Sequence, residues 1–128
     1  MEVTKNRNNS ALAGEFAVLS RLHLHGLDAS LSLGNTKSFD IFVHNQKIKK
    51  VFRIEVKTST SQKGYVKQGN FGEHMFWRLG NDILKNEENI STIIYCFVRF
   101  PHSKETKYPI DYPLIYVVPA YKVIDYLK

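Results

Sequence analysis

The chain has 128 residues, 43% of them hydrophobic and 23% charged, which suits a single domain with its own core over residues 1–128. No stretch approaches the run of about 20 apolar residues that a membrane span requires, and the polar N-terminus lacks signal-peptide character. We therefore expect a cytoplasmic protein without a membrane partner. The single cysteine, Cys96, excludes an intrachain disulfide framework.

Basic residues outnumber acidic ones by 18 to 12, which gives the chain a net charge of +6. A positive excess of this size is compatible with a polyanionic partner, above all nucleic acid. A basic protein with no such partner has the same composition. Charge therefore supports a function only where it coincides with reactive side chains.

The first predicted element is a helix over residues 11–25, which follows a polar arm over residues 1–9 that we expect to be flexible. One of the polar residues 8–10 is expected to cap this helix, and Gly26 to end it in a left-handed conformation. Apolar side chains recur along it at helical spacing and predict its buried side: Ala11, Leu12, Phe16, Val18, Leu19 and Leu22.

Glu15 lies on or beside this apolar stripe, where an ionised carboxylate needs a partner. It either reaches water at the rim, supports the helix dipole, or belongs to a functional site. Gly14, next to it, predicts the close approach of another part of the backbone.

The clearest signal is a β-hairpin, with strands over residues 38–43 and 51–57 joined by a turn over residues 46–49. In this pairing Asp40 lies opposite Glu55. One face is then wholly apolar and comprises Phe39, Ile41, Val43, Phe52, Ile54 and Val56. The other face carries Asp40, Phe42, His44, Val51, Arg53, Glu55 and Lys57. Because two opposed carboxylates repel each other, a bound cation would make their placement favourable.

Residues 27–33, between the helix and the hairpin, form a connecting segment or a short strand. After the hairpin, residues 58–70 predict a polar loop in which Lys63 and Lys67 meet a phosphate backbone, with a merely solvated loop as the alternative. The later elements are a helix over residues 73–89, a buried strand over 92–100, a loop over 101–113, a strand over 114–118 and a final helix opened by Pro119. The order α-β-β-α-β-β-α predicts an α/β fold with a mixed β-sheet flanked by helices.

Four side chains combine into a candidate site: Glu15, Asp40, Glu55 and Lys57. Glu55 and Lys57 share one strand face because the side-chain period of a strand is two. Carboxylate oxygens suit Mg²⁺, which binds substrate phosphate as well and eases the deprotonation of bound water. A lysine beside the ion orients the hydroxide or neutralises the phosphate. These parts together predict phosphodiester hydrolysis.

The motifs Gly14-Glu15, Phe39-Asp40-Ile41 and Ile54-Glu55-Val56-Lys57-Thr58 resemble those of the PD-(D/E)XK nuclease superfamily, and within it the archaeal Holliday-junction resolvases. The resemblance implies a restriction-endonuclease-like core, DNA as substrate, and a Mg²⁺ cofactor that Mn²⁺ can replace. It also implies Asp40 and Glu55 as metal ligands and Lys57 as the catalytic lysine, with Glu15 as a further catalytic carboxylate that binds the metal or positions water. Phe39 departs from the proline of the motif, and nothing after Lys57 selects a subfamily, so the preferred DNA structure stays open.

Two other interpretations compete with a nuclease. The chain could be a nucleic-acid-binding module or partner subunit that keeps the fold without the chemistry. Alternatively, Arg53 and Lys57 only neutralise Asp40 and Glu55 as structural ion pairs. In the nuclease interpretation Arg53 contacts nucleic acid together with Lys63 and Lys67, and RNA stays open as a substrate. The family further implies a homodimer, since cleaving two strands needs two sites.

Overall fold

The computed structural model describes residues 7–33, 39–60, 65–66, 74–75, 77, 90–100 and 113–127. The helices are α1 (Arg7–Leu24) and α2 (Ala120–Leu127). The strands are β1 (Asp28–Leu33), β2 (Phe39–Asn45), β3 (Lys50–Thr60), β4 (Tyr65–Val66), β5 (His74–Met75), β6 (Ile93–Phe100) and β7 (Leu114–Pro119). The described part of the chain is therefore a mixed α/β structure.

Five of these strands form one sheet in the order β1-β2-β3-β6-β7. Strands β1, β2 and β3 pair in antiparallel fashion, β3 pairs with β6 in parallel, and β7 returns antiparallel to β6. The predicted mixed sheet flanked by helices is thereby confirmed. Of the two alternatives for residues 27–33, the strand is the correct one, since β1 pairs along its whole length with β2.

The predicted hairpin register is also confirmed. Ile41 pairs with Ile54 and Val43 with Phe52, and the turn occupies residues 46–49. The side-chain oxygen of Asn45 organises this turn by accepting hydrogen bonds from the backbone N–H groups of Lys47, at 3.1 Å, and Ile48, at 3.3 Å. A side chain of this type closing a local turn is a frequent reason for asparagine at such positions.

The two faces of the sheet are covered by different helices. The face under α1, called here the α1 face, holds one buried cluster: Val18, Ala29, Ile41, Val43, Ile54, Cys96 and Val98. The opposite face, called the α2 face, holds a second cluster: Ile93, Tyr95, Ala120, Val123 and Ile124. Because neighbouring residues of a strand point to opposite faces, Asp40, Glu55 and Lys57 belong to the α2 face.

Helix α1 ends as predicted but begins earlier. Gly26 has a φ of +74°, and its N–H donates to the carbonyl of His23 while the N–H of Leu27 donates to that of Leu22. This pair of bonds is the Schellman pattern that glycine favours. At the other end the helix begins at Arg7, so residues 8–10 lie inside it and none of them is its cap, and residues 7–9 of the expected arm are helical. Residues 1–6 lie outside the described part.

The buried side of α1 also differs from the predicted stripe. Phe16 is 50% exposed, whereas Glu15 is 8% exposed and Val18 is 1% exposed. The reason is the position of Gly14, which faces strand β3 and turns the buried side of the helix toward Glu15 and Val18. A helical pattern with apolar residues on nearly every side does not reveal this rotation.

The segment after the hairpin differs from its prediction wherever it is described. Strand β3 continues to Thr60, past the expected start of a loop at residue 58. His74–Met75 form a short strand paired with Tyr65–Val66, so the helix predicted from residue 73 is wrong at those two positions. Lys63, Lys67 and the rest of that helix, apart from Trp77, lie outside the described residues.

The C-terminal elements agree closely with their predictions. Strand β6 is a buried central strand, and Cys96 within it is 4% exposed. Pro119 is the last residue of β7 and pairs with Ile94, and the helix begins one residue later than its expected opening. Of the helices that the structure describes, none is long and apolar enough to cross a membrane.

Gly14 marks a close contact between α1 and strand β3 of the sheet. A Cβ atom on Gly14 would collide with Oγ1 of Thr58 and would lie 3.0 Å from its Cβ and 3.2 Å from its Cγ2. The expected close approach is therefore real, but the contacting group is a side chain of β3. Thr58 Oγ1 is buried without a hydrogen-bond partner among the described residues, so the contact is purely steric.

We predict that Gly14→Ala lowers the free energy of unfolding by about 1 to 3 kcal/mol, because the added methyl group overpacks the helix–strand contact. In an open helical position the same change would stabilise the helix by about 1 kcal/mol. Urea unfolding followed by circular dichroism measures the difference. Thr58→Ala serves as the matched control, since it removes Oγ1 and Cγ2 and should restore most of the lost stability in the double variant. An unrestored double variant would contradict this explanation.

Candidate functional site

The hairpin brings Asp40 and Glu55 side by side. The pair Ile41 and Ile54 faces α1, so the residue before Ile41 and the residue after Ile54 are neighbours on the α2 face. Both carboxylate residues are half-buried. Lys57 lies two residues further along β3 on the same face and is half-buried as well. Three of the four residues predicted for the site therefore share one surface.

Arg53 already binds one of these carboxylates. Its Nη2 atom lies 2.7 Å from Oε1 of Glu55, and the two side chains are 35% and 28% exposed. The Nε atom of Arg53 is buried and has no hydrogen-bond partner within the described ranges. The distance is that of a charge-assisted hydrogen bond, which is stronger than one between neutral groups. Arg53 thus neutralises Glu55 in this state.

Strand β6 supplies aromatic side chains beside three charged residues of β3, namely Arg53, Glu55 and Lys57, which are called here the charged row. The parallel register pairs Glu55 with Tyr95 and Lys57 with Phe97, and these two rings stack with centroids 6.0 Å apart. Trp77 packs against Phe97 at 5.6 Å, and its indole N–H donates to the carbonyl of Val98 at 2.9 Å. The charged row of β3 therefore lies next to a set of packed aromatic rings.

Tyr95 has its ionisation suppressed by this environment. It is 3% exposed, and burial, with a smaller contribution from the Glu55 carboxylate, raises its pKa to about 12, although Arg53 acts in the opposite direction. The Glu55 carboxylate acts on the phenol because the two residues pair directly across β3 and β6. Tyr95 was not predicted as part of the site, because its proximity depends on the partner strand of β3.

A buried arginine of β6, Arg99, lies beside the end of the charged row on β3. Arg99 pairs with Ser59 in the parallel register, and its Nη1 atom donates to Oγ of Ser59 at 3.2 Å. Arg99 is fully buried and Ser59 is 4% exposed. Within an apolar run such as residues 92–100, an arginine gives no sign of whether it faces solvent or the interior. Sequence patterns therefore did not identify this contact.

Glu15 lies on a different face from the other three predicted residues. Its neighbour Gly14 contacts Thr58, which alternates with Lys57 along β3 and so belongs to the α1 face. Glu15 is nearly buried there, as its position in the helical pattern suggested. The structure thus brings together Asp40, Glu55 and Lys57 and places Glu15 with the helix on the other side of the sheet.

The donor set fits a hard divalent cation with few protein ligands. Two neighbouring carboxylates match Mg²⁺, which commonly binds through one or two carboxylates and completes its shell with water and phosphate. In the described part of the chain, no group of three or more histidine, cysteine, aspartate or glutamate residues could hold a metal. An ion at Asp40 and Glu55 would therefore take its other ligands from water and substrate.

Comparison with known proteins gives no match for this chain. No protein-family model, no curated protein and no solved structure is similar to it. The resemblance to PD-(D/E)XK nucleases therefore stays an expectation from the sequence motifs, and so do the substrate and partners that it implies.

We predict that Tyr95 weakens the fold at alkaline pH. Between pH 10 and 12 the unfolded chain loses the tyrosine proton near its ordinary pKa of about 10 while the folded chain keeps it. The folded state then binds more protons, so raising the pH lowers the free energy of unfolding. Urea unfolding of wild type and Tyr95→Phe at pH 9 and pH 11, about one unit below and one unit above the ordinary tyrosine pKa, measures the effect.

The variant should lose less stability than wild type over this range. Tyr126→Phe is the control, since Tyr126 is 90% exposed and should behave as wild type. Glu55→Gln should retain most of the wild-type decline, because burial is the larger cause of the shift. Equal declines in wild type and Tyr95→Phe would refute the assignment.

Proposed function

We propose that this chain is a metal-dependent endonuclease that hydrolyses phosphodiester bonds in DNA, with a restriction-endonuclease-like core of the PD-(D/E)XK type. The observation that carries the proposal is the hairpin register, which sets Asp40 beside Glu55 with Lys57 on the same face. A sheet gains nothing from two adjacent carboxylates unless positive charge offsets them. The net charge of +6 favours a polyanionic substrate.

In this proposal each residue has a distinct task. Asp40 and Glu55 hold Mg²⁺, or Mn²⁺ in its place, through their carboxylate oxygens. The bound ion supplies Lewis acidity, which eases the deprotonation of water and offsets charge on the phosphoryl group. The ammonium group of Lys57 neutralises the scissile phosphate or orients the attacking hydroxide. Arg53 provides a guanidinium that matches the geometry of a backbone phosphate.

The role of Glu15 stays a prediction of the sequence resemblance. A third carboxylate from the first helix would have to act from the α1 side of the sheet, where Gly14 contacts Thr58. Glu15→Gln tests it directly. A loss of cleavage with unchanged unfolding free energy would support a catalytic role, and a loss of stability alone would assign Glu15 to the fold.

The wider assignments belong to the same proposal. We infer a structure-selective enzyme of the resolvase kind that works as a homodimer, because two scissile strands require two sites. Lys63 and Lys67, which lie outside the described residues, are proposed from the sequence to add phosphate contacts. Gel filtration with light scattering tests the dimer, and a panel of DNA shapes tests the selectivity.

A non-catalytic nucleic-acid-binding module is the second candidate, and one observation favours it. The 2.7 Å contact between Arg53 and Glu55 satisfies that carboxylate with no metal. A binding module needs only the remaining positive charge. It would bind DNA without cleaving it, in the presence of either Mg²⁺ or Mn²⁺.

The proposed activity is tested with labelled duplex, single-stranded, flap and four-way-junction DNA in Mg²⁺, Mn²⁺ or EDTA. Asp40→Asn, Glu55→Gln and Lys57→Met should each reduce cleavage by about 100-fold or more, since each removes charge from the reacting groups. Asp28→Asn is the matched control, because Asp28 is exposed and faces His44 at the far end of the same sheet face. It should cut like wild type.

Two outcomes would contradict the proposal. Folded wild-type protein that binds DNA but cuts none of the shapes would support the binding module. If calorimetry detects no binding of divalent ions and Asp40→Asn keeps full activity, the charged residues of β2 and β3 would instead form structural ion pairs.

A further inference from the structure

Arg53 and a metal ion compete for the same carboxylate. The guanidinium Nη2 is 2.7 Å from Oε1 of Glu55, well within direct contact. An ion bound to Glu55 would bring two positive charges within a few ångström of the guanidinium, where repulsion is strong in a half-buried site. This repulsion would weaken the contact of each cation with Glu55 when the other is present, even where the two use different carboxylate oxygens.

Arg53 has capacity for another partner on the same surface. Its Nε atom makes no hydrogen bond to any described residue, and the side chain is 35% exposed, so the guanidinium can move toward solvent. A phosphate group offers this fork two acceptor oxygens, which is a better match than a single carboxylate oxygen. A substrate backbone on the α2 face would supply that phosphate next to Lys57.

We propose that Arg53 is the resident counter-ion of Glu55 and exchanges places during loading, leaving the carboxylate to the metal and moving to a substrate phosphate. This inference rests on the proposed nuclease function and adds a coupling to it. Metal binding releases the guanidinium for DNA, and DNA in turn removes the competitor of the metal. By thermodynamic linkage, each ligand then tightens the binding of the other. Arg53 is a positioning residue in this scheme.

The first test measures Mn²⁺ affinity without DNA, from the paramagnetic resonance signal of free Mn²⁺. Arg53→Met should bind Mn²⁺ about three- to tenfold more tightly than wild type, since the competing ion pair is gone. Arg53→Lys, which keeps the charge but loses the fork, should fall between them. Lys50→Met controls for the loss of one positive charge on β3 and should change affinity less than twofold, an order-of-magnitude bound for an exposed charge.

The second test measures DNA affinity by fluorescence anisotropy with a labelled duplex, in a Lys57→Met background that prevents cleavage. Arg53→Met should weaken binding several-fold more when Mn²⁺ is present than in EDTA, because without the metal Glu55 competes with the phosphate for the guanidinium. An equal loss under both conditions would identify a constant phosphate contact and overturn the exchange. A loss under neither would identify a structural ion pair and overturn it as well.

The outcomes separate this inference from the function on which it rests. Mn²⁺ binding that Glu55→Gln abolishes but Arg53→Met leaves at wild-type strength refutes the exchange and keeps the metal site. The absence of Mn²⁺ binding by wild type, with and without DNA, refutes both. Far-ultraviolet circular dichroism verifies that each variant is folded, and Arg53→Lys still gives the comparison if Arg53→Met does not fold.

Discussion

The register between β2 and β3 is the constraint on which the site depends. The pair Ile41 and Ile54 lies in the core under α1, at 0% and 5% exposure. A slip of one residue would turn these side chains outward and move charged residues into the apolar cluster, so burial holds the register in place. The same pairing sets Asp40 beside Glu55. Core packing on one face of the hairpin thus determines the chemistry available on the other.

The parallel pairing of β3 with β6 gives this charged row its second boundary. It places Tyr95 and Phe97 beside Glu55 and Lys57, while α2 covers Ile93 and Tyr95 from above. The carboxylates consequently stand where the apolar cluster under α2 gives way to solvent. Partial desolvation at such a boundary strengthens every charge–charge interaction, both the ion pair with Arg53 and any interaction with a bound cation.

Sequence patterns correctly predicted the elements whose pattern of apolar and polar residues fits only one kind of secondary structure. The hairpin follows from the alternation of apolar and polar residues, and strand β6 follows from a continuous apolar run. The end of α1 follows from Gly26, which adopts a left-handed conformation. The rotation of α1 was not predicted, because Phe16 and Val18 both fit a helical stripe and only contact with Thr58 distinguishes them. Tyr95 and Arg99 were missed for a related reason: their neighbours come from a strand about 40 residues away in sequence.

The two carboxylates of the site need positive charge to balance them. Arg53 supplies it for Glu55 in the structure, at a distance that leaves the carboxylate satisfied. This ion pair balances the charge of Glu55. Asp40 still lies beside that carboxylate on the adjacent strand, and Lys57 lies on the same face. A substrate phosphate and a divalent cation would complete the balance for all four side chains at once. The proposed exchange of Arg53 for a metal ion would relieve the repulsion between the carboxylates, and the effect of Arg53 on metal affinity distinguishes it from a structural ion pair.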